Sequence, residues 1–192
     1  MTGSFQQQII ISGVGGQGVL FVTRLLAEAA INKELAVFTS ETHGMAQRGG
    51  TVLSHFKVGD YSSPLIRPAQ ADGLLALRAE NLTQHSAFLK DGGWIVVNDE
   101  NDVKNGNSMQ VDAIDADTLA REIGNPKAVN LIVLGFALAT AEKDSENRNT
   151  LFCSLAEIKA VLKGRFGNNQ KMLSASLKAL EVGYKNGPKI AK

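Results

Sequence analysis

Gln8-Ile9-Ile10-Ile11-Ser12-Gly13-Val14-Gly15-Gly16-Gln17-Gly18-Val19-Leu20 is the stretch whose reading decides the fold. Gln8 to Ser12 is a short apolar strand, the glycines impose a tight turn, and a helix follows to about Asn32. Leu20, Leu25, Leu26, Ala27, Ala29 and Ala30 give that helix a broad apolar side, while Arg24 and Glu28, four apart, share the polar one. Lys33-Glu34 turns the chain, and Leu35 to Thr39 is expected as a second buried strand. The opening reads as a βαβ unit.

Outward from that unit, strand and helix mostly alternate. Thr51 to Val58 has strand periodicity, with Val52, Ser54, Phe56 and Val58 on one face and the less buried Thr51, Leu53, His55 and Lys57 on the other. Pro64 and Pro68 disfavour a helix in 60–68 and make Ser63 to Pro68 an extended connection. Further strands are expected at Asp72 to Leu77, Trp94 to Asn98 and Met109 to Ile114, a helix from Arg78 to Lys90, a turn at Asp91-Gly92-Gly93 and a surface loop from Asn101 to Ser108. Asp115 or Asp117 caps a brief helix, and Asn125-Pro126 breaks it. Ala128 to Ala141 is apolar all round but shorter than the ~20 residues that span a bilayer, so it reads as a buried helix. Ser154 and Glu157 have the capping-box spacing of a helix start, and a last helix runs to about Asn186. The pattern predicts an α/β, Rossmann-like three-layer fold with a mainly parallel sheet and a helical carboxyl-terminal third, residues 1–192 forming one domain.

Composition excludes several functions. With 20 basic and 19 acidic residues in 192, no strong field recruits nucleic acid or an anionic membrane. The single cysteine, Cys153, excludes an internal disulfide and a four-cysteine iron-sulfur cluster held by this chain alone. Its apolar setting, Leu151-Phe152-Cys153, points to core packing. The amino terminus has neither a basic region nor an apolar run before a cleavage site, which points to the cytoplasm.

The glycine turn admits two readings. Gly13, Gly15 and Gly18 match the dinucleotide fingerprint, in which amides at a helix start cradle pyrophosphate. The acid that should then hold the ribose is Glu41, which falls beyond the second strand in a loop dense with Gly, His and Arg, a poor fit. The other reading is that the glycines serve only turn geometry and close packing. Neither His55 nor His85 has ligand spacing, and His85 reads as a surface residue; His43 shares its loop with Glu41 and Arg48 and is the better functional candidate.

Two runs carry a sharper signal: Ile11 to Leu20, and Ser40-Glu41-Thr42-His43-Gly44-Met45-Ala46-Gln47-Arg48-Gly49-Gly50-Thr51 with Ser54-His55. Together they resemble the gamma-type domain of 2-oxoacid:ferredoxin oxidoreductases, and within that group the small beta subunit of indolepyruvate:ferredoxin oxidoreductase. Trp94 to Asn98 and Asn130 to Gly135 also sit where that family would have them. The resemblance implies a complex that decarboxylates a 2-oxoacid oxidatively, captures the acyl group on coenzyme A and reduces ferredoxin. Thiamine diphosphate, Mg2+ and iron-sulfur clusters are then held by larger partner subunits, and this chain, inactive alone, completes the site without a catalytic residue or metal of its own. Glu41, His43, Gly44, Met45, Gln47, Arg48, Gly49 and Gly50 form the binding or subunit-interface loop, and Arg48 suits a coenzyme A phosphate or a substrate carboxylate because its planar fork donates two hydrogen bonds. Gly13, Gly15, Gly16, Gln17 and Gly18 form the glycine-rich turn, and Asn130 is a further candidate. A homodimer is expected when the chain is isolated. The alternatives are a self-sufficient NAD- or flavin-binding oxidoreductase and a plain ligand-binding regulatory module.

Overall fold

A computed structural model of the chain describes residues 5–44, 50–100, 110–143 and 151–187. The strands are β1 (Gln7–Val14), β2 (Val37–His43), β3 (Thr51–Val58), β4 (Ala71–Ala76), β5 (Leu89–Asn98) and β6 (Gln110–Ile114). They form one sheet in the order β2-β3-β1-β4-β5-β6. From β1 outward to β6 the pairs are parallel, whereas β3 runs antiparallel to both β1 and β2. The helices are α1 (Val19–Asn32), α2 (Ala79–His85), α3 (Ala116–Glu122), α4 (Val129–Lys143), α5 (Leu155–Phe166) and α6 (Gln170–Lys185).

The two faces of the sheet are covered unequally. Ile9 and Ile11 of β1, Phe56 of β3, Leu75 of β4 and Val96 of β5 share a core with α1 and with α3 to α6. The opposite face, with Ile10, Leu74, Ala76, Ile95 and Val97, packs against Leu82 and Phe88 and against Ile66 of the connection before β4. Helix α4 is apolar all round and correspondingly buried between the sheet and α6. Its backbone meets that of α6 through two glycines: a Cβ on Gly135 would collide with the Leu180 carbonyl, and one on Gly183 with the Ile132 carbonyl. The carboxyl-terminal helices start where side chains cap them. Asp115 accepts from the Thr118 N–H at 2.9 Å, and Ser154 and Glu157 complete a capping box at α5. No helix among the described residues is long and apolar enough to cross a membrane.

Several boundaries differ from the sequence expectation. β2 is not a buried strand over Leu35 to Thr39; it is an exposed edge strand over Val37–His43, with Phe38 38% exposed. Ser40, Glu41, Thr42 and His43 are therefore strand rather than loop, because β3 folds back along β2 and pairs with it as far as His43 opposite Val52. The opening βαβ unit is split, since β3 inserts between β1 and β2. β3 is also buried on both faces from Ser54 onward, His55 being covered by Phe88 and the 60–68 connection. Helix α2 stops at His85, followed by a 3-10 turn at Ser86–Phe88, and Asp91-Gly92-Gly93 interrupts the register within β5 rather than preceding it. The expected surface loop at 101–108 lies outside the described residues.

Candidate functional site

From β1 the chain crosses by α1 toward the β2 edge on one face of the sheet; from β4 it crosses by α2 toward β5 on the other. The connections diverge between β1 and β4, and in open α/β sheets ligands bind outside the strand carboxyl ends at such a divergence. The glycine turn stands there. Val14 N–H donates to Gln17 Oε1 at 2.9 Å, and Gln17 N–H returns to the Val14 carbonyl at 3.1 Å. Gly16 (φ 93°) and Gly18 (φ 81°) take left-handed conformations that favour glycine. Gly18 begins α1 without a side-chain cap and without an acidic residue in the first turn, so neither offsets the positive end of the helix. A cleft of about 310 Å3 lies over the turn, lined by Val14, Gly15, Gly16, Gly18, Val19, Leu20 and Val52.

The second glycine-rich run comes to the same place. Gly44 N–H donates to the Thr51 carbonyl at 2.8 Å, closing the β2–β3 hairpin, and Gly15 N–H donates to the Gly50 carbonyl at 3.0 Å. Met45, Ala46, Gln47, Arg48 and Gly49 lie outside the described residues; of their flanks, Gly50 meets the glycine turn, while Gly44 lies one strand further out, against Thr51. Asn130, in the first turn of α4, closes the floor. It accepts from Leu131 N–H at 2.9 Å, donates to the Gly18 carbonyl at 3.4 Å, and leaves no room for a Cβ on Gly18. The structure thus brings the glycine turn, Gly50 and Asn130 together, with Gly44 one strand away behind Thr51.

Glu41 is placed elsewhere. It pairs with Ser54, which pairs with Ile11, so a whole strand separates Glu41 from β1, a backbone distance of about 10 Å at ordinary strand spacing. A ribose acid belongs on the strand adjacent to β1. With Gly15 N–H already taken and the acid displaced, the dinucleotide geometry is not met.

His85 corrects the sequence reading. It is half-buried rather than a surface residue, and its Nδ1 lies 3.0 Å from Oγ of Ser12, itself fully buried at the carboxyl end of β1. Burial holds the His85 imidazole below the ordinary histidine range, opposed by a hydrogen bond to the Asn81 backbone. Asn81 is buried beside it with an Oδ1 that has no partner among the described residues. Nothing in the sequence around Ser12 or His85 signals that the two meet, since 73 residues separate them. Cys153 is 6% exposed, and burial pushes its thiol up to about 12. Among the described residues no group of three or more His, Cys, Asp or Glu could hold a metal ion.

Residues 8–186 match the family described as pyruvate ferredoxin/flavodoxin oxidoreductase. The chain is 28% identical to the indolepyruvate oxidoreductase subunit IorB of Archaeoglobus fulgidus, over 92% of each protein. It is 29% identical to the ketoisovalerate oxidoreductase subunit VorA of Methanothermobacter thermautotrophicus, over 92% of this chain and 35% of that longer relative. Among solved structures it is similar to the gamma subunit of a keto/oxoacid ferredoxin oxidoreductase from Geobacter sulfurreducens PCA, with a TM-score of 0.72 and 26% identity, covering 93% of this chain and 96% of that one.

Proposed function

Since the chain belongs to the pyruvate ferredoxin/flavodoxin oxidoreductase family, we propose that it is the small, gamma-type subunit of a 2-oxoacid:ferredoxin oxidoreductase, acting on indolepyruvate or another 2-oxoacid. The complex would oxidise and decarboxylate the acid, transfer the acyl group to coenzyme A and reduce ferredoxin. The observation that carries the reading of the site is the Gly15–Gly50 hydrogen bond, which makes the two glycine-rich runs one surface at the positive end of α1. A phosphate-bearing co-substrate such as coenzyme A suits that surface, with Arg48 in the adjoining loop as its counter-charge.

An iron-sulfur cluster does not fit this chain. Its single cysteine is buried with a thiol that resists ionisation, and thiolates are what such clusters require. Under this proposal the clusters, thiamine diphosphate and its Mg2+ are held by partner subunits, and this chain shapes the site without supplying the chemistry. The self-sufficient NAD or flavin enzyme is disfavoured by the position of Glu41. The test is affinity purification at native expression under anaerobic conditions, with mass spectrometry of partners and an absorption spectrum. Recovery of a larger, brown, thiamine-containing subunit is the expected result. A protein recovered alone with stoichiometric dinucleotide would overturn the proposal.

A further inference from the structure

At the opposite end of β1 the structure holds a second concave site, unrelated to the glycine turn. Gln8 and Gly15 are seven residues apart along an extended strand, roughly 23 Å. The site is a pocket of about 460 Å3 between the end of β3 and the connection leading to β4. Lys57 of β3 lines it and is only 7% exposed. Its Nζ lies 4.9 Å from the centre of the Tyr61 ring, and among the described residues it forms no ion pair. Arg67 lines the same pocket, also without an ion pair among the described residues. Burial first, and the Arg67 charge second, hold the Lys57 ammonium below the ordinary lysine range. No carboxylate lines the pocket. Asp72, whose charge reaches Tyr61, is engaged by Lys90 and by Gln8 N–H at 2.6 Å.

The Lys57 side chain is covered along its stem while its ammonium opens on the pocket beside a second cation, and an anion held there would offset the repulsion between the two. The connection that forms the wall is fixed. Ile66 N–H donates to His55 Nδ1 at 3.2 Å, and Ala69 and Gln70 N–H donate to the carbonyls of Ala87 and Phe88, each at 2.9 Å. The Ser62 and Ser63 hydroxyls add neutral donors, and Tyr61 and Leu65 an apolar wall.

From these observations we infer that the Lys57–Arg67 pocket is a binding site for a small phosphate monoester, its phosphate between the two cations and its organic part against Tyr61 and Leu65. A phosphate monoester carries close to two negative charges at neutral pH, which matches the two uncompensated cations where a single carboxylate would leave one. The volume exceeds that of a bare phosphate and leaves room for a ring or short chain on the Tyr61 side.

The test is titration of the 15N-labelled full chain with phenyl phosphate, with benzoate and with sodium chloride at matched ionic strength, followed by amide chemical shifts. Phenyl phosphate should give saturable shifts at Lys57, Tyr61, Ser62, Ser63 and Gln70, binding at least tenfold more tightly than benzoate. Lys57→Met, which keeps the site filled with an apolar side chain, should weaken it at least tenfold. Arg67→Ala, at an exposed position that folding tolerates, should weaken it at least fivefold. Shifts confined to residues 14–20, shifts equal to those with chloride, benzoate of equal affinity, or unchanged binding in both variants would each overturn the assignment.

Discussion

The backbone N–H of Gly15 donates to the carbonyl of Gly50 at 3.0 Å. That bond takes from the glycine turn an amide that a dinucleotide-binding loop would aim at pyrophosphate, and it ties the turn to Gly50, two residues from Arg48 in the sequence. It exists because β3 inserts between β1 and β2, so that Val14 ends β1 opposite Thr51, which begins β3, and the residue after the one meets the residue before the other. The same insertion moves Glu41 away from the turn.

Gly18→Ala tests the floor of this site. A left-handed conformation costs a non-glycine residue about 1–2 kcal/mol, and the added methyl also collides with the Asn130 amide. Urea unfolding should show a loss of about 2–4 kcal/mol for the single variant. Pairing it with Asn130→Ala should remove the collision and leave mainly the backbone cost, so the double variant should lose less than the sum of the two single losses. Strict additivity would mean the two residues do not press on one another.

Arg48→Ala addresses the charge in the second glycine-rich run. Losing a charge-assisted hydrogen bond to a phosphate or carboxylate removes ~1.5–3 kcal/mol. The complex should still assemble, as judged by co-purification, while acyl-CoA formation in the purified complex falls about 10- to 100-fold by the same energy. Unchanged turnover in an assembled complex would remove Arg48 from the site.

How far the sequence reached depends on the range of the interaction concerned. The β1 turn, the Asp115 cap, the Ser154–Glu157 capping box and the all-apolar α4 were legible because each is written within a few residues. The path of β2 was not. Ser40 to His43 is polar and runs into Gly44, the composition of a loop, and it is strand only because β3 returns alongside it at an exposed edge. The bend in β5 failed for a related reason, since Gly92 (φ 74°) signals a turn whether the strand starts after it or passes through it. In the candidate site, the two glycine runs were identified locally, but Ser12 with His85 and Gly18 with Asn130 are pairs separated by 73 and 112 residues. No local pattern encodes such pairs.

Cys153 should be inert in the native chain. Its thiol is pushed up to about 12 and is 6% exposed. At pH 8 the thiolate fraction is then on the order of one in ten thousand, against about a quarter for an ordinary cysteine thiol. N-ethylmaleimide at pH 8 should modify the urea-unfolded chain at least a thousandfold faster than the folded one, followed by mass spectrometry. Comparable rates would show that the Leu151–Cys153 segment is not packed as described.

His55 makes the connection before β4 sensitive to acid. Its Nδ1 accepts the Ile66 N–H at 3.2 Å, which only an unprotonated nitrogen can do. Burial, and then the charges of Lys57 and His85, lower its pKa below the ordinary histidine value of about 6.5. Because the folded-state value is depressed, the unfolded chain takes up its proton first on acidification. Stability from this group is fully present above about pH 6.5 and falls, by at most ~1.4 kcal/mol per pH unit, until the folded-state value is passed. His85 contributes with the same sign, so the informative quantity is the difference between wild type and His55→Asn, whose side-chain oxygen still accepts the Ile66 N–H but does not titrate. Urea unfolding between pH 7.5 and pH 5 should show a shallower decline in the variant, and the Ile66 amide of the wild type should lose hydrogen-exchange protection over the same interval. Identical slopes, with Ile66 protection unchanged at pH 5, would mean that His55 does not hold the connection.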